Sequence, residues 1–196
     1  MNLLLFSDTH WELSKYIDKI NFEGVDLIVF LWDNLIADFE LLKNIPIRKI
    51  GILGNNDPSE GLTEKLDIFK HCSIEDITFK RILVKDKSFF GINGNVSYML
   101  SETFSKNAKN PWIIEIQEKL ENFVNMERVD VLISHFPCAG IMSWDNLMYR
   151  GLKSIRSFIE EKKPGYFFHG HMHNPGEVKL WDTKIIQIYP WKKVVL

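Results

Sequence analysis

Leu3-Leu4-Leu5-Phe6-Ser7-Asp8-Thr9-His10 is an apolar run of strand length that ends on a carboxylate and an imidazole. The arrangement recurs: Leu27 to Trp32 leads to Asp33, Ile50 to Leu53 to Asn55, Val131 to Ile133 to His135, and Tyr166 to Phe168 to His169, His171 and His173. Short continuous apolar runs bounded by polar residues read as strands buried on both faces, the usual make-up of parallel sheets in α/β proteins. Ligand sites in such sheets form outside the carboxyl ends of the strands, where loops converge over a rigid base. Taken singly, an Asp after a strand is usually a turn former or helix cap, and a His there is usually hydrogen-bonded structure. Five strand ends of the same chemistry, carrying five of the six histidines, predict one polar cluster.

Working outward, strands are predicted at Asn2 to Ser7, Val25 to Leu31, Arg48 to Leu53, Val129 to Ser134 and Tyr166 to His169. The clearest helix is Pro111 to Asn125, where Ile113, Ile116, Leu120, Phe123 and Val124 recur at helical spacing behind a proline suited to the first turn. A second runs from Leu152 to Lys162 and stops at Pro164-Gly165, and weaker helices are expected at Leu13 to Ile20 and Glu60 to Phe69. Ile77 to Gly91 reads as two strands around Lys85-Asp86-Lys87, and Glu177 to Leu196 as strands around Asp182-Thr183 and Pro190. Strand-helix alternation with added antiparallel strands implies an α/β fold of two mixed β-sheets packed face to face, with helices on the outside. No repeat or linker interrupts the chain, so residues 1–196 are expected to form a single domain.

The chain has 196 residues, 45% hydrophobic and 26% charged, which places it among globular proteins. Its 24 Lys and Arg against 26 Asp and Glu give a net charge of -2, so extended nucleic acid is an unlikely partner. Cys72 and Cys138 are too few for a disulfide framework, and the apolar runs are too short to cross a bilayer, so no membrane association is expected. Free cysteines and an N-terminal run without a preceding basic region suit a cytoplasmic protein. Trp181, Tyr189 and Trp191 fit a dimer surface or a cover for the second sheet equally well, which leaves the oligomeric state open.

Asp8-Thr9-His10, Asp33, Gly54-Asn55-Asn56-Asp57, Ser134-His135 and Gly170-His171-Met172-His173 stand in the order and approximate spacing of a known family. In these motifs the chain resembles the calcineurin-like metallophosphoesterases, most closely the small ones without large accessory domains. The resemblance implies a metal-dependent phosphoesterase with two divalent transition-metal ions and a small phosphate-ester substrate. One ion would lie between Asp8, His10, Asp33 and His173, and the other between Asp33, Asn55, His135 and His171. A bridging carboxylate, neutral imidazoles and an amide carbonyl suit such a pair, with manganese favoured and iron, zinc, cobalt or nickel as the other candidates. A metal-bridging hydroxide would attack phosphorus in line. Two alternatives stay open: a small nuclease, and a protein-interaction scaffold, the role in which the small retromer subunit uses a similar fold.

The chain departs from the family pattern at two positions. Where many members have His after the metal-binding Asn, this sequence has Asn56, and an amide cannot act as a general acid near neutral pH. Phosphodiesters are therefore favoured over monoesters. His71 and His169 are the residues that could supply the missing acid, although His169 reads better as a strand-packing residue. Asp57 either orients a neighbouring ligand or caps the segment beginning at Pro58. Trp32 replaces the family's usual Gly before Asp33, as an interior packing residue or as a stacking surface for an aromatic leaving group. Trp11, Trp144, Asn93-Gly94-Asn95, Arg150 and Lys153 are further candidates for lining the cleft. If the missing acid limits turnover, Asn56→His raises the hydrolysis of esters with poor leaving groups by up to about 100-fold. Unchanged alkyl monoesterase rates in that variant, at equal metal content, would remove this explanation of diester preference.

Overall fold

The computed structural model describes residues 1–10, 12–31, 33, 36–52, 62–92, 111–145 and 149–196. A first sheet has the order β11-β1-β2-β3-β4, with β1 at Asn2–Phe6, β2 at Leu27–Phe30, β3 at Lys49–Gly51, β4 at Ile74–Asp76 and β11 at Trp191–Val195. The second has the order β5-β6-β7-β8-β10-β9, with β5 at Arg81–Val84, β6 at Lys87–Ile92, β7 at Val131–Ser134, β8 at Tyr166–His169, β9 at Gly176–Leu180 and β10 at Thr183–Gln187. Pairing is parallel from β1 to β4 and among β6, β7, β8 and β10, and antiparallel at β11, β5 and β9. The sheets are mixed, as the sequence predicts.

Three apolar layers hold the sheets and helices together. Leu3, Leu5, Leu27, Val29 and Ile50 of the first sheet meet Phe89, Val131, Ile133, Phe168 and Ile186 of the second in the central layer. The alternate residues Leu4, Phe6, Ile28 and Phe30 face outward against helix α1 (Ile36–Leu42) and helix α2 (Leu62–His71) through Phe39, Leu42 and Phe69. On the far side Leu132, Phe167 and Ile185 pack against α3 (Pro111–Asn125) and α4 (Lys153–Lys162) through Leu120, Phe123, Phe158 and Ile159. Strands buried on both faces need side chains that are apolar at every position, which is why these segments read as unbroken runs.

The predicted helix at Leu13 to Ile20 is instead two single 3-10 turns, Leu13–Lys15 and Ile17–Lys19. Only Leu13 and Ile20 are buried there, too narrow an apolar stripe to hold an α-helix against the sheet. The C-terminal segment is three strands, of which β9 and β10 stay in the second sheet while β11 crosses to pair with β1. Lys85 and Asp86 form the predicted turn between β5 and β6.

Gly91 lies where β6 presses on the first sheet, and an added Cβ would overlap Ile52 Cγ2 and lie 2.8 Å from the Ile77 carbonyl oxygen. Backbone cannot yield there as a flexible side-chain tip can. Gly91→Ala is therefore expected to destabilise the protein by about 1–3 kcal/mol, read as a lower urea midpoint at unchanged slope. An unaltered midpoint would mean that the two sheets do not pack closely at this position.

Candidate metal centre

The ends of β1, β2, β7 and β8 meet at one rim of the sandwich and bring Asp8, His10, Asp33, His135, His171 and His173 together. Asp8, Asp33, His135 and His171 are buried, whereas His10 and His173 are exposed at the opening. The cluster is thus a pit with two carboxylates and two imidazoles at its base and two imidazoles at its mouth. Asn55, Asn56, Asp57, Trp11, Trp32 and Asn93 to Asn95 lie outside the described residues.

Asp8 is the hub. Its Oδ2 accepts hydrogen bonds from Ser7 Oγ at 2.6 Å and from the His171 backbone N–H at 2.9 Å. Its Oδ1 lies 3.2 Å from His173 Nε2, 3.9 Å from His135 Nε2 and 4.0 Å from His10 Nε2. Two groups of ligand-type atoms each converge within 4.8 Å, Asp8 with His10 and His173, and Asp8 with Asp33 and His135. Asp8 belongs to both. His171 Nδ1 lies beside the second group, 3.2 Å from His135 Nε2.

The imidazoles are set by what their outward nitrogens do. His135 Nδ1 donates to the Leu31 carbonyl at 3.1 Å, so its Nε2 faces Asp33 Oδ2 at 3.4 Å. That is the arrangement in which a second partner fixes the tautomer of a ligating histidine. His10 and His173 bring their Nε2 atoms to 3.1 Å of each other. Separations of 3.1 to 3.2 Å between ring nitrogens match those of adjacent donors around one ion bonded at about 2.0–2.1 Å. Donor types and spacing therefore fit divalent transition metals.

Electrostatics point the same way. Burial alone would raise the Asp8 carboxyl, but His135 and the hydrogen bonds from His173, Ser7 and the His171 amide hold it at about 2. Asp33 is also lowered, since His135 outweighs its burial and the repulsion from Asp8. Burial pushes the His135 imidazole down, yet Asp8 and Asp33 outweigh this and raise it. The paired carboxylates thus favour the positively charged form of His135, as they would favour a bound cation.

Five of these residues sit in the left-handed region, Asp8 at φ 54°, His10 at 42°, Asp33 at 52°, His171 at 71° and His173 at 49°. Such conformations cost of order 1–3 kcal/mol each and persist where surrounding contacts over-determine them. Here those contacts include the Asp8 hydrogen bonds and the packing of Gly170. An added Cβ on Gly170 would overlap Ser7 Oγ and lie 2.5 Å from Asp8 Oδ2, so only glycine lets β8 deliver His171 against Asp8.

The other candidates fall away from the pit. His169 is buried against Phe167, with Nδ1 donating to the Gly170 carbonyl at 3.1 Å, and burial lowers it to about 4. His71 ends α2 and pairs with Glu40 at 3.0 Å. Cys138 is buried in the outer core, which pushes its thiol up to about 12, as suits a small loop hydrophobe. Trp144 is exposed on the loop after His135. Sequence reasoning missed Tyr189, stacked on His173 with centroids 4.9 Å apart and planes 10° apart, and Tyr149, 5.1 Å from His171. Both are ordinary aromatics in the sequence, and nothing local marks them.

The sequence model of the calcineurin-like phosphoesterase family matches residues 1–175. No curated protein sequence matches the chain. The fold is similar to that of the phosphopantetheinyl hydrolase of Mycobacterium tuberculosis, with a TM-score of 0.66 at 11% identity over 99% of this chain and 95% of that one. It is also similar to a dimetal phosphatase from Danio rerio, with a TM-score of 0.55 at 10% identity over 95% of this chain and 86% of that one. At such identities the likeness is one of fold.

Gly170→Ala is expected to lower metal affinity by about 10–100-fold, the usual effect of disturbing the groups that orient ligands. Metal titration of refolded and dialysed protein, with circular dichroism to confirm the fold, measures it. Wild-type affinity in this variant would show that the close approach of Gly170 to Asp8 does not set the centre.

Proposed function

Because the chain belongs to the calcineurin-like phosphoesterase family, a family of metal-dependent hydrolases of phosphate esters, we propose that it is a phosphodiesterase with a binuclear centre. The observation that carries this reading is the convergence of Asp8 with His10 and His173 on one side and of Asp33 with Asp8 and His135 on the other. In our assignment Asp8, His10, Asp33 and His173 hold one ion, and Asp33, Asn55, His135 and His171 hold the other. The set of nitrogen and oxygen donors without thiolate favours manganese, with iron, zinc, cobalt and nickel as the other candidates. Two such ions, when bound, supply Lewis acidity to the phosphoryl oxygens and a water acidified towards hydroxide.

The chain's own residues do the rest. Asp8 and Asp33 fix the negative charge that retains cations, and the Leu31 carbonyl keeps His135 in the tautomer that offers Nε2. His10 and His173 stand at the open side, where a phosphate group enters. Asn56 binds a phosphate oxygen without donating a proton to the leaving group, which favours diesters and good leaving groups. Asp57 orients a neighbouring ligand. We read residues 1–196 as one unit. A small phosphate ester as substrate and a cytoplasmic setting, consistent with the two buried free cysteines, complete the proposal. Among the described residues no helix is long and apolar enough to cross a membrane.

The test compares a chromogenic phosphodiester with its matching monoester, on chelated and Mn-reloaded protein, with Asp33→Asn as control. Diester turnover should need the added metal and fall at least 100-fold in Asp33→Asn, which should also impair both ions, whereas His171→Ala should weaken one. Full activity and two tightly held ions in Asp33→Asn would defeat the bridging assignment. Absence of turnover on either ester with both ions bound would shift weight to the scaffold reading.

A further inference from the structure

Next to the metal-ligand segment is a small pocket of about 150 Å³, lined by Met142, Ser143, Trp144, Met172, Asn174 and Gln187. Met172 lies between the two candidate ligands His171 and His173, so the pocket shares a wall with the centre. A line of rings connects the two. His171 contacts Tyr149 with centroids 5.1 Å apart, and Tyr149 contacts Trp144 with centroids 5.0 Å apart in a T-shaped arrangement. Trp144 is nonetheless 56% exposed, an unusual position for the largest apolar side chain.

The base of the pocket is polar. Gln187 is 2% exposed, and its amide Nε2 is buried without a hydrogen-bond partner among the described residues. Its neighbour across the sheet, His169, has a buried Nε2 in the same condition. Native structures leave few such groups unpaired, and each one calls for an explanation. At roughly 30 Å³ per water, 150 Å³ is the room of about five waters. That is space for one planar heterocycle and too little for a drug-sized ligand.

We propose that this pocket is a subsite for a nucleobase or a similar uncharged heteroaromatic ring of the substrate. The ring stacks on Trp144 between the soft walls of Met142 and Met172, and its polar edge meets the Gln187 amide, with Ser143 and Asn174 at the rim. Stacking tolerates any base, and the Gln187 amide discriminates among them. The assignment rests on the phosphodiesterase reading for its biological sense, although ring binding does not require catalysis.

Calorimetric titration with adenosine and with uridine, which carry no phosphate, tests the subsite apart from the chemistry. Wild-type protein should bind at least one of them, and Trp144→Ala, a change at an exposed residue, should weaken it about tenfold or more. Gln187→Leu should alter the ratio of the two affinities. In parallel, Trp144→Ala should raise KM for thymidine 5′-p-nitrophenyl phosphate about tenfold more than it raises KM for methyl p-nitrophenyl phosphate. Nucleoside binding that is lost in Trp144→Ala while neither ester is hydrolysed would uphold the subsite and defeat the phosphodiesterase reading. Ester hydrolysis with no nucleoside bound by the wild type, or equal binding by Trp144→Ala, would overturn the subsite.

Discussion

Two carboxylates side by side in a protein interior constitute the constraint on which this structure turns. Asp8 is 2% exposed and Asp33 7% exposed, and each comes from a different strand of the same sheet. Burying paired negative charge costs several kcal/mol unless positive charge and hydrogen bonds accompany it. Nearly everything around them answers that demand. Ser7 and the His171 amide donate to Asp8, His135 sits over both, and His173 stands beside Asp8 at the mouth. The second sheet supplies three of the four imidazoles, so the facing of the sheets is what neutralises the pit. Hydrophobic packing of the central layer fixes that facing, and the ligand geometry follows from it.

The elements most visible in the sequence are those whose physics is local. Tyr166–His169 and Pro111–Asn125 stand as predicted, because a continuous apolar run and a helical stripe behind a proline need no tertiary information. Val25 to Leu31 and Val129 to Ser134 shrink to Leu27–Phe30 and Val131–Ser134 at their ends, where pairing partners rather than propensity set the limit. Strand β4 was not legible, since Ile74, Glu75 and Asp76 carry no strand pattern and are ordered by pairing with β3. The six described site residues were legible because each follows an apolar run. The role of Asp8 in both ligand groups was not, since it arises from contacts across more than 160 residues of chain. Tyr189 was hidden because its stacking on His173 is a tertiary contact that no local pattern marks.

The centre also gathers a backbone conformation that side chains adopt rarely. Non-glycine residues with positive φ are a few per cent in ordinary structures, with Asn, Asp and His enriched. Here five of the eleven among the described residues lie at the ends of β1, β2 and β8. The sequence supplies Asp and His where the chemistry needs ligands, and these are also residue types that tolerate the conformation. Chemistry and backbone geometry thus select the same residues, and Gly170 gives the space that a side chain would deny.

The last strand adds a constraint of another kind. β11 leaves the second sheet and lies antiparallel to β1, so Phe6 is paired with Trp191, and Ser7 donates its backbone N–H to the Pro190 carbonyl at 3.0 Å. The segment carrying Asp8 is therefore clasped by residues more than 180 positions further along the sequence. Local turns and helices form within microseconds, whereas contacts between segments far apart in sequence wait on the slow search for long-range pairing. Asp8 meets His171 and His173 only across more than 160 residues of chain. The chemistry is thus completed by long-range pairing and by no single local segment.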